Sequence, residues 1–331
     1  MPQRSPSVLL IRLDAVGDAL ALAPLLAALR ERQVPVDLVL TERNRDALAT
    51  VATRRRYVAP FGLRDESKIN RAVISAFGSE LRANEYTHVV VATEDPGGYR
   101  LARATRAKHR IGFENGWGKP LKTLWIRSLL TKTIVRTAGL DENAPHECEV
   151  LFALGASLLE PGAVPTHDLA QLRPMVIDRD PAPDSRVAFQ VTDKWERLGI
   201  PFDDVVACAR AIPNARFIAP SSERGFADRF AGAVGATIEF FGTLEPWKEA
   251  IASARALVAP DSGALHVAGM TGTPTVAIFP PQPNLALQTA RWHPWAARFR
   301  IIEAQHGWPA KAARALQDLD PTNDASARRE S

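Results

Sequence analysis

Apolar positions along this chain come in blocks of two kinds. Short apolar runs rich in β-branched residues and closed by a turn signal read as strands buried on both faces. The first is Val8–Ile11, after a polar leader over residues 1–7, and Val36–Leu40 and Thr87–Ala92 follow it. Longer stretches with helical spacing predict helices over Asp18–Arg30, Arg45–Thr53 and Lys68–Leu81, with residues 12–17 as the turn after the first strand. The pattern restarts in the second half. Strands are expected at Arg186–Val191, Arg216–Ala219, Thr237–Phe240, Ala256–Ala259 and Thr275–Phe279, with a final strand after Trp295. Helices fit between them at Asp203–Ala211, Gly225–Val234, Glu245–Ala254 and Ala264–Met270. Strand, turn, helix and strand in succession predict parallel sheets covered on both faces. The expected fold is therefore α/β, with two Rossmann-like doubly wound domains. They span residues 1–165 and 185–305, with a linker at 166–184 and a tail at 306–331. The linker lies in a stretch holding Pro161, Pro165, Pro174, Pro181 and Pro183, which makes a poor helix or central strand because proline lacks an N–H. The tail is expected to hold one short helix after Pro309 and to fray from Asp320 to Ser331. Ligands of such sheets bind beyond the carboxyl ends of the strands, in an interdomain cleft.

A length of 331 residues suits two domains, and 46% hydrophobic with 24% charged residues excludes a disordered or fibrous chain. The longest apolar stretch, Ala19–Leu29, is eleven residues and contains Pro24. A membrane-spanning helix needs about 20. Arg12, Asp14 and Asp18 interrupt the segment that would serve a secretory signal, so none is expected. Two cysteines, Cys148 and Cys208, make no disulfide framework and point to a reducing, cytoplasmic setting. The net charge of +4 is too small to argue for a nucleic acid, and none is expected as partner. Its placement says more. Between Arg100 and Lys132 nine Lys or Arg (Arg100, Arg103, Arg106, Lys108, Arg110, Lys119, Lys122, Arg127, Lys132) face one acid, Glu114. Arg54, Arg55 and Arg56 add to the same half. Such a cluster attracts an anionic partner, unless it is simply the solvated face of helices. Phe113 and Trp117 interleave it, as sugar or lipid contacts or as core.

The most informative segment runs from Ala256 to Phe279: a strand, the turn Asp261-Ser262-Gly263, a short helix, and Gly272-Thr273-Pro274 feeding another strand. The helix start leaves N–H groups of Ser262 and Gly263 unsatisfied, and these with the helix dipole suit a diphosphate. His266, one turn in, could add a donor. The plain alternative is a capped turn with a structural histidine. In Arg12-Leu13-Asp14-Ala15-Val16-Gly17-Asp18, neither a dinucleotide fingerprint nor a P-loop is present. Asp18 is a candidate general base there, or a helix cap, and Asp14 is either a second carboxylate of the site or a turn cap. Asp178-Arg179-Asp180 and Asp318-Leu319-Asp320 have a metal-binding spacing but stand away from any strand end, and His146 with Cys148 lacks a third ligand. No metal site is expected. Trp292, His293 and Trp295 are expected to pack between domains.

Together these segments resemble the bacterial lipopolysaccharide heptosyltransferases, the ADP-heptose-type transferases of glycosyltransferase family 9. The likeness is carried by Val8–Arg12, Gly17-Asp18 and Ala19–Leu29, and by Asp261, Ser262, Gly263, His266, Gly272 and Pro274. Thr192-Asp193-Lys194-Trp195 and Phe241-Gly242-Thr243-Leu244 lie between them. The resemblance implies a GT-B fold and inversion by single displacement without metal or cofactor. It implies a nucleotide sugar held mainly by the C-terminal domain, and a phosphorylated glycolipid acceptor at the inner face of the inner membrane. By the same likeness Asp18 is the base, and Gly17, Arg100, Arg103 and Arg110 are on the acceptor side. Lys194 with the Ser262 and Gly263 amides meets the diphosphate, His266 lies beside them, Glu223 meets the nucleoside and Asp261 the donor. The alternatives are a related transferase using another nucleoside-diphosphate sugar, or a binding protein of the same fold without catalysis.

Overall fold

The computed structural model describes residues 6–60, 68–136 and 143–319. The chain forms two compact units, Met1–Gly139 with Glu147–Thr166, and Leu140–His146 with His167–Ser331. The first unit contains strands β1 (Val8–Ile11), β2 (Val36–Leu40), β3 (Arg56–Val58), β4 (His88–Val91), β5 (His109–Glu114) and β6 (Lys132–Val135). Its helices are α1 (Val16–Leu20), α2 (Ala23–Glu31), α3 (Lys68–Arg82), α4 (Pro96–Ala104), α5 (Pro120–Leu129) and α6 (Glu147–Ala153). The strands lie in the order β3-β2-β1-β4-β5-β6, every pair parallel. Val8, Leu9, Leu10 and Ile11 are all fully buried, as a central strand with helices on both faces requires.

The second unit opens with the one-turn helix α7 (Leu169–Leu172). Its strands are β7 (Asp184–Gln190), β8 (Ala215–Pro220), β9 (Ile238–Phe241), β10 (Ala254–Pro260), β11 (Thr275–Phe279) and β12 (Phe299–Glu303). Between and after them come α8 (Lys194–Arg197), α9 (Phe202–Ala211), α10 (Arg224–Val234), α11 (Leu244–Ser253), α12 (Gly263–Thr271), α13 (Leu285–Trp292) and α14 (Trp308–Asp318). The order β12-β11-β10-β7-β8-β9 is the same winding as in the first unit, again wholly parallel. Its core stacks Phe189 on Trp195 and Trp195 on Trp308, with centroids 5.7 and 6.0 Å apart.

Several expectations change. The helix expected over Asp18–Arg30 starts at Val16 and is broken between Leu20 and Ala23. Pro24 has no N–H for the carbonyl of Leu20 and its ring would clash with it, so the helix restarts with proline in its first turn. Residues 45–50 form successive turns and 51–53 run on irregularly, rather than as a helix. Asn44 competes with helical pairing there. Its side chain accepts the Thr41 N–H at 2.8 Å and donates to the carbonyls of Arg12 and Asp14 at 3.1 and 2.9 Å. The basic stretch from Arg100 to Lys132 is built into α4, β5, α5 and the start of β6. From His167 onward the proline-rich segment is counted with the second unit. Asp168 caps α7, Met175, Val176 and Ile177 are buried, and the buried Lys248 ammonium donates to the carbonyl of Val176 at 2.5 Å. The short C-terminal helix expected after Pro309 is α14, while 320–331, expected to fray, lies outside the described residues.

Candidate active site

In each sheet the winding reverses beside the first strand, between β1 and β4 in the first unit and between β7 and β10 in the second. The crevice beyond the carboxyl ends at such a reversal is where doubly wound sheets bind ligands. Asp14 and Asp18 in the first unit, and Lys194, Asp261, Ser262 and Gly263 in the second, lie in the turns and helix starts at these two points.

In the first unit Arg12 leaves the end of β1 with its side chain only 2% exposed and donates to the carbonyl of Ala92, just past β4. Around its guanidinium stand Asp14 and Asp18, each at 3.3 Å, and Glu147 at 3.8 Å. Glu147 is fully buried and also takes Arg136 at 2.6 Å. Arg136 lies 3.6 Å from Glu94, whose carboxylate accepts from Asn115 at 2.9 Å. A file of alternating charges thus runs along the strand ends from β1 to β6. Buried charges are tolerable only when paired in this way.

Asp18 is the third residue of α1, and its carboxylate accepts the Ala15 N–H at 3.0 Å. The capping role is therefore real. Capping occupies one oxygen, the other faces Arg12, and the side chain remains 28% exposed. Gly17 lies buried inside the helix rather than in a turn before it. Asp14 titrates above the ordinary carboxylate range, because burial and the neighbouring Asp18 and Asp95 charges outweigh Arg12 and a hydrogen bond from Thr93. Glu94 goes the other way: despite burial, the Asn115 hydrogen bond and the Arg136 charge hold it low. The site therefore offers two carboxylates, Asp14 and Asp18, beside a fixed cation and partly open to solvent, of which Asp18 is also held by the Ala15 N–H. That arrangement can take a proton from a hydroxyl.

The arginines assigned to the acceptor side are not brought to this point. Arg100 lies over the ring of Trp125, 5.3 Å from its centroid. Arg103 donates to the carbonyl of Ser128 at 2.6 Å. Arg110 donates to those of Leu129 and Ala107 at 2.8 and 2.6 Å. Arg103 and Arg110 thus serve the carbonyl end of α5, toward the amino edge of the sheet. Those groups otherwise lack partners and attract cations. Arg12, Arg136, Glu94 and Glu147 were missed. The signal was Arg12 itself, a charged residue placed directly after four fully buried apolar ones.

In the second unit the turn after β7 carries Thr192, Asp193 and Lys194. The Thr192 hydroxyl accepts the Lys194 N–H at 3.2 Å. Trp195 is fully buried, and its indole N–H donates to the carbonyl of Gln190 at 2.9 Å, which fixes the turn. Glu223, in the 3-10 turn after β8, accepts the Asp193 N–H at 2.7 Å. One of its oxygens therefore ties the Lys194 turn in place, a role the sequence did not suggest. Gly242, after β9, borders the same loop; a Cβ there would lie 4.0 Å from the Ser221 hydroxyl.

Beside them, past β10, Asp261 is half-buried with its N–H on the carbonyl of Ile278 at 3.1 Å, and Ser262 is the N-cap of α12. Serine at an N-cap normally accepts a helix N–H. Ser262 does not: its hydroxyl is buried and has no hydrogen-bond partner among the described residues. Gly263 begins α12, and Gly272, left-handed at φ +81°, ends it. His266 is buried edge-on against Trp292, with centroids 5.5 Å apart, as the structural alternative anticipated. Of the other expected interdomain residues, His293 meets the rings of His146 and Phe299, and Trp295 those of His146 and His167. All of these belong to the second unit. Burial and the neighbouring His293 lower the His146 pKa to about 3. Among the described residues no three His, Cys, Asp or Glu side chains are grouped to hold a metal ion.

The winding of both units is that of the GT-B fold, and comparison with known proteins agrees. Residues 242–322, which include α12 and its flanking strands, match the model of glycosyltransferase family 9 (heptosyltransferase). A glycosyl transferase family 9 structure from Veillonella parvula superposes with a TM-score of 0.70 at 14% identity, over 96% of this chain and 98% of that one. The E. coli heptosyltransferase WaaC with ADP-2-deoxy-2-fluoro heptose gives 0.69 at 19% identity, over 96% and 99%. E. coli ADP-heptose lipopolysaccharide heptosyltransferase II gives 0.66 at 17%, over 96% and 99%. No curated protein sequence matches the chain.

Proposed function

We propose that the chain is an inverting, metal-independent glycosyltransferase that moves heptose from an ADP-linked donor to an anionic glycolipid of the lipopolysaccharide-core kind. The observation that carries this is the start of α12, where the buried, unbonded Ser262 hydroxyl stands with open helix amides beside the Lys194 turn. A diphosphate oxygen supplies the missing partner, and a helix N-terminus with a lysine supplies the charge complement. The ADP-heptose analogue held by WaaC favours an adenine nucleotide and a heptose.

The second unit binds the donor and the first the acceptor. Asp18, oriented by Arg12, takes the proton of the acceptor hydroxyl as its oxygen attacks the anomeric carbon. The bond to the diphosphate breaks on the opposite face, so configuration inverts. Lys194 and the α12 amides meet the charge that develops on the departing diphosphate, so no metal is called for. The enzyme is expected to act in the cytoplasm, and among the described residues no helix is long and apolar enough to cross a membrane.

The test is release of ADP from ADP-heptose in EDTA with a heptose-free core glycolipid, alongside UDP-sugars. Release from ADP-heptose alone, with inverted product, supports the proposal. Preference for another donor makes it a transferase of different specificity. Nucleotide binding without release makes it a binding protein, and loss of release on chelation removes metal independence.

A further inference from the structure

Few large apolar side chains are exposed on the described surface, and three of them stand together. Trp117 is 95% exposed, Leu121 83% and Leu124 63%. Leu121 and Leu124 lie one turn apart on the outward face of α5, and Trp117 sits in the 3-10 turn Gly116–Gly118 just before it. The opposite face of α5 is already used, with Thr123, Ile126 and Leu129 buried. The outward stripe is therefore not core left uncovered by chance, because the helix has two apolar faces and only one is needed to seat it. Solvent exposure of a contiguous stripe of this kind marks an interaction surface.

The stripe is also held rigidly. Gly116 turns in the left-handed region at φ +57°, and the Thr123 hydroxyl donates to the carbonyl of Gly116 at 2.9 Å, pinning the turn to the helix. Trp117 is thereby presented outward rather than folded back. Val135, at the end of the edge strand β6 and 50% exposed, borders the same turn; a Cβ on Gly116 would lie 3.4 Å from it.

Charge identifies the occupant. From Asn115 to Arg136 there are five bases (Lys119, Lys122, Arg127, Lys132, Arg136) and no acid. Lys119 and Lys132 are exposed and Lys122 is half-buried at the margin of the stripe. Arg127 is paired with Glu114 and Arg136 with Glu147, and Glu94 is the acid near Lys119 and Lys122, so the excess positive charge rests on Lys119, Lys122 and Lys132. An apolar stripe with a tryptophan, fringed by lysines in excess over acids, matches the boundary between the acyl chains and the headgroups of an anionic bilayer.

We infer that Trp117, Leu121 and Leu124 with Lys119 and Lys122 form a docking surface for an anionic lipid bilayer. The turn that carries Trp117 follows the carboxyl end of β5, the end of the sheet on which Asp18 stands, and Asn115 beside it binds Glu94 of the charge file. Docking there holds the candidate base over the lipid surface. In its purpose this inference rests on the proposed glycolipid acceptor, but the surface itself does not depend on it.

Flotation of the full chain with phosphatidylglycerol–phosphatidylethanolamine vesicles, against phosphatidylcholine vesicles, tests it. Binding is expected on the anionic vesicles only and falls with salt. The triple change Trp117→Ser, Leu121→Ser, Leu124→Ser should lower partition about hundredfold, and Lys119→Ser with Lys122→Ser about twentyfold. Unaltered melting temperature shows the variants folded; should the triple one not fold, Trp117→Ser and the lysine pair carry the test. Equal binding to both vesicle types, or undiminished binding of the variants, overturns the inference. So does self-association in sedimentation that the triple change abolishes while vesicles are ignored. Titration with ADP in the same samples reports separately on the transferase proposal, which can fail while vesicle binding stands.

Discussion

Ser262→Ala separates a structural from a ligand-binding serine by the sign of its effect. At an ordinary N-cap this change costs about 0.5–2 kcal/mol, because a helix N–H loses its acceptor. Here no such bond exists, and the hydroxyl is buried without a partner. A buried unpaired hydroxyl itself costs about 1–3 kcal/mol, of which alanine relieves a part. The melting temperature should therefore hold or rise by up to a few degrees. Nucleotide affinity should move the opposite way. A hydrogen bond to a charged group is worth about 1.5–3 kcal/mol, or roughly ten- to hundredfold in Kd for ADP. Differential scanning calorimetry and isothermal titration on one pair of proteins measure both. A drop in melting temperature with unchanged ADP affinity would refute the reasoning, because Ser262 would then be an ordinary cap.

Lys194→Ala should weaken ADP binding roughly tenfold or more with the fold intact, since buried Trp195 rather than the lysine fixes that turn; titration calorimetry decides. Asp18→Asn keeps an acceptor for the Ala15 N–H and should cost at most about 1 kcal/mol, yet turnover should fall by about 10²–10⁴ with ADP affinity unchanged; near-normal turnover ends its role as base. Asp14 binds its proton more tightly folded than unfolded, so the stability it contributes is lost as pH rises above 3.8. Asp14→Asn should therefore melt higher than the parent at pH 7.5, with the gain fading toward pH 4; an equal or lower melting point at pH 7.5 contradicts this. Gly269→Ala would put a Cβ 2.5 Å from the Trp295 backbone nitrogen, which has no side chain to move aside, and should cost about 1–3 kcal/mol in thermal unfolding.

Legibility in the sequence followed burial. Val8–Ile11, Val36–Leu40 and Thr275–Phe279 lie where the apolar runs put them, because a strand covered on both faces has no reason to contain polar residues. His109–Glu114 and Lys132–Val135 escaped, since polar residues blur both runs: His109 and Arg110 at the more open start of β5, and Lys132 and Thr133 in the edge strand β6. The Asp261-Ser262-Gly263 turn was legible because its chemistry is local: three consecutive residues make the helix start. The Arg12 file was not. Glu147 lies 135 positions from Arg12, and no local pattern joins them; only the fold that sets α6 by β1 does so. Asp18 shows the intermediate case, where both readings of a helix-start carboxylate are compatible, since one oxygen caps and the other faces Arg12.

Helix α12 has almost no solvent side. Every residue from Ala264 to Thr271 is buried, and Gly269 meets the backbone of Pro294 and Trp295 with no side chain between. Most helices drift in sequence along their wet face, where one polar residue serves as well as another. This one has no such face, a glycine at a backbone contact, and a left-handed glycine closing it. Replacement there has nowhere to go. It is within this stretch, residues 242–322, that a family remains recognisable in a chain sharing only 14–19% identity with solved structures of the same fold.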